Sequence, residues 1–413
     1  MSTTAAEVDA RMAVITRATE QREPPLAVLD RLALQANAED LVRRANGLPI
    51  RVASKSIRCR EVLRWVLRQP GYAGVLAFTL AEAIWLAGGA GGRHEPVSED
   101  VLVAYPTADR QALRTLAADP VLAARVSIMV DSIEGLRLVS AAVGPGAASA
   151  VRVCLDLDAS WRLARGRIHL GVRRSPVHSA QQIQHLARLV QDDPACTLVG
   201  VMSYEAQIAG LGDVGTGVWG RARAVAIRGV QSGSAREIRA RRGEAVAAVR
   251  EEADLEIVNG GGTGSLETSS RDSSLTEVAA GSGLFGPTLF DSYRAFQPRP
   301  AVMFALPVVR RPSAEIVTVL GGGWVASGPP GHDRLPSPFW PPGLRLLAAE
   351  GAGEVQTPLT GTPATRLRIG DRVWFRHAKA GEVCEHVKSL TVVDADAATT
   401  DWPTYRGDGR AFG

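Results

Sequence analysis

Between residues 25 and 290, short apolar runs alternate with stretches of helical spacing, and this alternation restricts the fold more than any other feature of the chain. Runs with strand character cover Pro49–Ser54, Val75–Thr79, Val101–Tyr105, Val126–Val130, Ala150–Leu157, Thr197–Tyr204, Leu255–Asn259 and Glu277–Phe285. Helical patterns follow most of them, at Ile57–Arg68, Leu80–Leu86, Ala108–Ala118, Ile133–Val143, Ala180–Gln191 and Arg236–Glu252. Eight strands, most followed by a helix, over about 265 residues match the count and length of an α/β fold of the (β/α)8 barrel type. A doubly wound open sheet is the competing arrangement, but no Gly-x-Gly-x-x-Gly follows the first strand.

Past about residue 298 the helical spacing stops. Ala301–Val309, Ala314–Leu320, Ala364–Leu367, Arg372–Phe375 and Ser389–Val393 read as strands, and Gly and Pro cluster between Gly321 and Pro342. The pattern predicts a barrel over residues 25–295 and a β-rich C-terminal domain over 296–400, which residues 1–24 can join. Residues 401–413, with Pro403, Gly407, Asp408 and Gly409, read as a loose tail.

Composition excludes several classes. An apolar share of 46% with 22% charged residues is that of a folded chain rather than a disordered one. The net charge of +4 comes without a basic block. The densest run, Arg236–Arg242, lies in a helical pattern and reads as a solvated face, so no nucleic-acid partner is expected. Gly71–Gly92 is apolar enough to resemble a membrane span, but Glu82 and its many Gly and Ala residues favour a buried strand and a packed helix. The first twenty residues carry no apolar signal core. The four cysteines are scattered without a Cys-x-x-Cys pair, and Cys154 and Cys196 fall in apolar runs as core thiols. The expectation is a reduced, cytoplasmic protein with no membrane attachment.

Basic residues are split unevenly. Of 47 Lys and Arg, only Lys55, Lys379 and Lys388 are lysines. Arginine supplies charge but no nucleophilic amine, whereas a lysine can be deprotonated and form a Schiff base. A lysine that persists against this bias is enriched for chemistry that arginine lacks, and Lys55 closes the first strand as Ser54-Lys55-Ser56. Barrel chemistry sits at the C-terminal ends of strands. The other ends carry Tyr105, Asp131, Asp156 with Asp158, Tyr204 with Glu205, and the run Asn259-Gly260-Gly261-Gly262-Thr263-Gly264-Ser265. Ordinary strand-end polarity accounts for some of these. In Gly260–Ser265, consecutive glycines let backbone N–H groups approach an anion, while Thr263 and Ser265 add hydroxyls. Its place after the seventh strand is where barrels bind phosphate, although a flexible turn has the same composition. A lysine at one strand end with a phosphate loop across the mouth points to pyridoxal 5′-phosphate (PLP), which needs one lysine, a phosphate cup and a group facing its ring.

The segment Ile50-Arg51-Val52-Ala53-Ser54-Lys55 resembles the lysine segment of the fold-type III PLP enzymes, and within them the D-threonine aldolase and D-serine dehydratase group, which is alanine racemase N-terminal domain-like. Pro25–Asn37, with Asp30, Leu32 and Asn37, is similar to that group's opening strand and helix. Gly200–Tyr204 resembles its strand ending in a PLP-contacting tyrosine, Gly260–Ser265 its phosphate loop, and Gly370-Asp371-Arg372-Val373 with His377 its C-terminal β-domain site. The ordered set implies PLP held by Lys55, Tyr204, Gly261, Gly262, Thr263, Gly264 and Ser265, a small amino acid as substrate, and a homodimer with sites near the interface.

The chain departs from that pattern at three places. A histidine is expected three residues after the tyrosine, where Gln207 stands. The family's zinc ligands form a His-x-Asp or His-x-Cys pair, where this chain reads His377-Ala378-Lys379. The segment Asp156–Val172 is longer than its counterpart, leaving Arg162, Arg173 and Arg174 as candidates for one arginine. An ammonium repels a dication, so the expected enzyme is metal-independent, with Lys55, His377 and Lys379 as catalytic residues and the latter two contacting substrate. Cys384 with His386 is the alternative metal pair. Asp291 and Tyr293 either reach the active site or pack the junction between domains. The implied activity is a PLP-dependent lyase on a D-3-hydroxy amino acid, of aldolase or deaminase type. A non-catalytic PLP-binding homeostasis protein is a second reading, which the large β domain disfavours. A racemase is a third, and it lacks a second-base tyrosine beyond residue 298 other than Tyr405.

Overall fold

Strands buried on both faces read as unbroken apolar runs, and eight such runs close here into a parallel barrel. In order they are Ile50–Ala53, Tyr72–Ala77, Val101–Pro106, Val126–Val130, Val151–Asp156, Cys196–Ser203, Ile257–Gly260 and Glu277–Ala280. Val278 pairs with Ile50 to complete the ring. Each strand corresponds to one of the eight predicted from sequence. The computed structural model describes residues 4–164, 166–215 and 217–413, in two units.

The barrel's interior is filled, not hollow. Leu76, Leu102, Met129, Cys154, Met202, Ile257 and Ala279, from seven different strands, pack into one cluster with Ala53 and Ala104 against it. At the strands' starting ends Arg51 is sealed in, with its Nε donating to Glu277 Oε1 at 2.6 Å and its Nη1 to Asp100 Oδ1 at 2.8 Å. Asn259 Nδ2 donates to the same Glu277 oxygen at 2.7 Å. This end is closed by a buried ion network, which leaves the opposite mouth for chemistry. Gly71–Gly92 folds as the strand Tyr72–Ala77 and the helix Leu80–Leu86, capped by Thr79, with Glu82 accepting from the Phe78 N–H at 2.7 Å. Among the described residues no helix is long and apolar enough to cross a membrane.

The helix predicted at Arg236–Glu252 runs instead over Gly217–Arg250. Its second half carries the apolar face, with Ile238, Ala245, Val246 and Val249 buried, whereas Val218, Trp219 and Val225 in the first half are exposed. Without a buried stripe, the first half has no helical period to read.

The other unit is β-rich. Val302–Ser313 pairs antiparallel with Ile316–Leu320 and with Arg372–Arg376. The strand Leu26–Asp30 lies between Val302–Ser313 and Ser389–Val393 in this sheet, although the sequence assigns the chain from residue 25 to the barrel. All five of its residues are buried, and such a run reads alike in either setting. The N-terminal helix Ala5–Ala18, capped by Thr4, packs Met12 and Ile15 beside Val28, Met303 and Trp374 of the same sheet. Ala364–Leu367 is not a strand. Thr362–Thr365 forms a 3-10 turn, and the strand is Gln356–Thr360, whose Pro358 lacks a ladder donor and argues against a strand in sequence. Nor is the end of the chain loose: Thr399–Pro403 pairs with Ser389–Val393, Tyr405 is buried, and Arg60 Nη2 donates to Asp408 Oδ1 at 2.9 Å.

Candidate active site

The first barrel strand stops at Ala53, and a 3-10 turn, Ser54–Ser56, brings Lys55 to the barrel mouth. Ser54 anchors that turn by donating to the Leu76 carbonyl of the neighbouring strand at 3.1 Å. Lys55 Nζ donates to the hydroxyl of Tyr105, at the end of the third strand, at 2.9 Å. The Arg174 guanidinium lies 5.6 Å from the Tyr105 ring centre and 5.6 Å from that of Tyr204. Tyr204 follows the sixth strand directly, and its ring packs on the glycine turn: a Cβ at Gly262 would come within 3.1 Å of its Cε2. Lys55, Tyr105, Arg174, Tyr204 and the glycine turn thus form one continuous run across the mouth.

The glycine turn is held from below. Gly261 has φ +80, and its N–H donates to Glu205 Oε2 at 2.9 Å. Glu205 Oε1 accepts from Ser269 Oγ at 2.7 Å, and the Gly262 N–H donates to Ser265 Oγ at 3.1 Å. Arg44 Nη2 donates to the Thr263 carbonyl at 2.6 Å. Under the turn, Arg242 is buried, its Nη1 donating to Asp272 Oδ2 at 2.8 Å and its Nε to Ser203 Oγ at 2.7 Å. A Cβ at Gly261 would meet Ser269 Oγ at 2.8 Å in a left-handed backbone conformation. Gly261→Ala is therefore expected to cost at least about 1–2 kcal/mol of stability, read as a lower urea midpoint at unchanged slope.

Electrostatics separates the two phenols. Burial pushes both up. At Tyr105 the charge and hydrogen bond of Lys55, with those of Arg174, outweigh burial and bring the phenol below its ordinary 10.0. At Tyr204 burial prevails over Arg174, and the phenol is pushed up to about 12. Two carboxylates end the fourth and fifth strands. The pairing of Val130 with Leu155 sets Asp131 next to Asp156. Burial, then Asp131, raises Asp156 to about 7, against the pull of Arg174. Asp131 is raised by burial as well.

Of the three candidate arginines, Arg174 lies at this mouth, while Arg162 Nη2 pairs with Asp158 at 2.6 Å. Gln207, where a histidine was expected, is buried and donates to the Ala159 carbonyl and to Ser234 Oγ at 2.6 and 2.7 Å. It ties the long helix to the loop after the fifth strand.

His377 and Lys379 belong to the β-rich unit. His377 is 3% exposed and its Nδ1 lies 3.1 Å from the Val302 carbonyl. Burial, then Arg376, pushes its imidazole down to about 3, so it is neutral at physiological pH. Lys379 Nζ donates to the Ser327 carbonyl at 3.0 Å, and the Glu382 carboxylate accepts from the Ser327 N–H at 3.0 Å. Cys384 is buried, which pushes its thiol well up, and His386 stacks on Trp324 at 4.8 Å. Among the described residues no group of three or more His, Cys, Asp or Glu could hold a metal ion. Asp291 pairs with Arg376 at 2.8 Å, and Tyr293 packs against Phe290 and Phe296.

No protein-family model matches the sequence, and no curated protein matches it. Solved structures do match. D-threonine aldolase from Filomicrobium marinum aligns with a TM-score of 0.73 and 21% identity, over 93% of this chain and 95% of that one. The chain shares that fold. D-threo-3-hydroxyaspartate dehydratase from Delftia sp. HT23 aligns with a TM-score of 0.69 and 21% identity, over 95% and 98% of the two chains. Alanine racemase from Corynebacterium glutamicum is more distant, with a TM-score of 0.54 and 15% identity over 84% and 88%. A barrel followed by a β-rich unit is the architecture that the resemblance of the lysine segment, tyrosine strand and glycine loop implies.

Sequence reasoning passed over the Glu205–Arg242–Asp272 network. One signal was present: Arg242 stands on the apolar stripe formed by Ile238, Ala245, Val246 and Val249, where a lone charge needs a buried partner.

Proposed function

We propose that the protein is a PLP-dependent lyase acting on a small amino acid, with a D-3-hydroxy amino acid as substrate. The observation that carries this reading is the continuous run from Lys55 through Tyr105, Arg174 and Tyr204 to the glycine turn. Its donor set suits a phosphorylated aromatic aldehyde: an amine for the aldehyde, a guanidinium between two aromatic planes beside the ring, and a turn of glycines and hydroxyls for the phosphate. Lys55 would hold the aldehyde. Gly261, Gly262, Thr263, Gly264 and Ser265 would form the phosphate cup, the Gly261 and Gly262 N–H groups fixing its shape through Glu205 and Ser265, and Tyr204 would wall the ring. Bound there, PLP supplies a sink for the electron pair released at a substrate α-carbon.

The protein's own groups do the rest. Lys55 Nζ can hold or move the α-proton, Arg174 holds positive charge at the mouth, and Tyr204, with its phenol pushed up to about 12, stays neutral and packs. A homodimer in the cytoplasm is part of the same proposal, motivated by the sequence resemblance and composition.

The test is product analysis with D-threonine and D-serine, using protein purified with PLP. Glycine with acetaldehyde identifies an aldolase, and 2-oxobutanoate or pyruvate a deaminase. Borohydride reduction and peptide mapping should place the cofactor on Lys55. Absence of visible lysine–PLP absorption would overturn the reading.

A further inference from the structure

We propose that Tyr105 is the acid–base partner of Lys55, its phenol oxygen taking on the proton that Lys55 Nζ lifts from the substrate and later returning it. The inference deepens the function proposed above and rests on it.

The geometry is direct. The Tyr105 hydroxyl is 2.9 Å from Lys55 Nζ, within proton-transfer distance. Arg174 approaches the same ring at 5.6 Å, so the phenol lies between Lys55 Nζ and a guanidinium. The groups that act on it are Lys55, Arg174 and the Tyr204 phenol, and Arg174 acts in turn on Asp156, which Asp131 also influences. Two cations next to one phenol favour its ionised form, and burial opposes them without prevailing. Tyr204 touches the same guanidinium without a lysine hydrogen bond, and its phenol moves the other way. Two like groups whose environments push them apart mark different tasks, here proton transfer for Tyr105 and packing for Tyr204.

The proton count closes. The substrate Cα–H bond would break as an N–H bond forms at Lys55 Nζ, and the electron pair left at the carbon is the one a bound PLP would accept. The Lys55 N–H then breaks as an O–H bond forms on the Tyr105 phenolate. Lys55 is again a neutral amine. In an elimination the proton leaves Tyr105 by the same route to the departing β-hydroxyl, which goes as water while the Cα–Cβ double bond forms, and the charge of Arg174 balances the phenolate that is left. In sequence Tyr105 is no more than a strand end, because the amine and guanidinium beside it come from positions 55 and 174.

Two measurements test this. The first uses the cofactor-free protein. Of its five tyrosines, one should ionise below pH 10 in a tyrosinate absorbance titration, and that step should vanish in Tyr105→Phe. The second follows exchange of the substrate α-proton with deuterated solvent against pH in the PLP-loaded enzyme. Tyr105→Phe should slow exchange about 10^2-fold and remove one limb of the pH profile, while the lysine–PLP absorption keeps its intensity. A Tyr105→Phe variant with the wild-type titration, or with the wild-type exchange profile, overturns the inference and leaves the function standing. A wild-type protein without lysine–PLP absorption removes the function and the inference together, and the absorption identifies that cause.

Discussion

Lys55→Arg is expected to abolish turnover while leaving the charge at the mouth in place. Arginine stays protonated and cannot bond an aldehyde carbon, so under the proposed function the variant would lose both the covalent hold on PLP and the atom that moves the α-proton. The loss should exceed the ~10^2–10^4 that a general acid–base group contributes by itself. The substitution also separates charge from amine. Lys55 donates to Tyr105 at 2.9 Å, and an arginine in its place keeps a cation near that phenol. The low-pH tyrosinate step should therefore persist in Lys55→Arg although catalysis is gone. Product formation with D-threonine and D-serine, and a peptide map after borohydride, give the readout: no turnover and no cofactor-bearing peptide. Retained turnover would take Lys55 out of the mechanism.

Lys55 was legible because arginine fills nearly every other basic position, which leaves three lysines to explain. The barrel strands were legible because a parallel strand covered on both faces must be apolar throughout. Burial of the same kind in Leu26–Asp30 marks a strand without saying which sheet takes it, and pairing with Val302–Ser313 decided that. Thr399–Pro403 escaped notice for the opposite reason: it is polar and half-exposed, and its place is set by its ladder to Ser389–Val393. At the site, the short hairpin Trp161–Leu163 with Ile168–Leu170 lengthens the loop after the fifth strand and hid which arginine reaches the mouth. Tyr105 could be seen, but its chemistry could not, since a phenol's task is set by neighbours distant in sequence.

The same dependence on distant partners makes Arg242 the second large effect. Arg242→Met should destabilise the protein by about 3–5 kcal/mol. The guanidinium is 1% exposed and lies 2.8 Å from Asp272 and 3.2 Å from Glu205. Removing it leaves two buried carboxylates without their cation, and their desolvation is then uncompensated. Exposed pairs behave otherwise. Arg188, 57% exposed beside Glu252, should cost no more than about 1 kcal/mol when replaced by Met. The effect of Arg242→Met should also reach the cofactor, because Glu205 accepts the Gly261 N–H at 2.9 Å and the Ser269 hydroxyl at 2.7 Å. A carboxylate freed of Arg242 is no longer held under the glycine turn, and its charge is left beside the turn proposed to take the phosphate. PLP affinity should fall about 10-fold or more, the equivalent of at least about 1.4 kcal/mol. Glu205→Gln in the Arg242→Met background removes one stranded charge and keeps an oxygen to accept the Gly261 N–H, so it should recover part of both losses. Urea unfolding and PLP titration of the two single variants and the double variant provide the measurement. Additive losses in the double variant would mean that Arg242 and Glu205 act independently and that the buried network does not hold the turn.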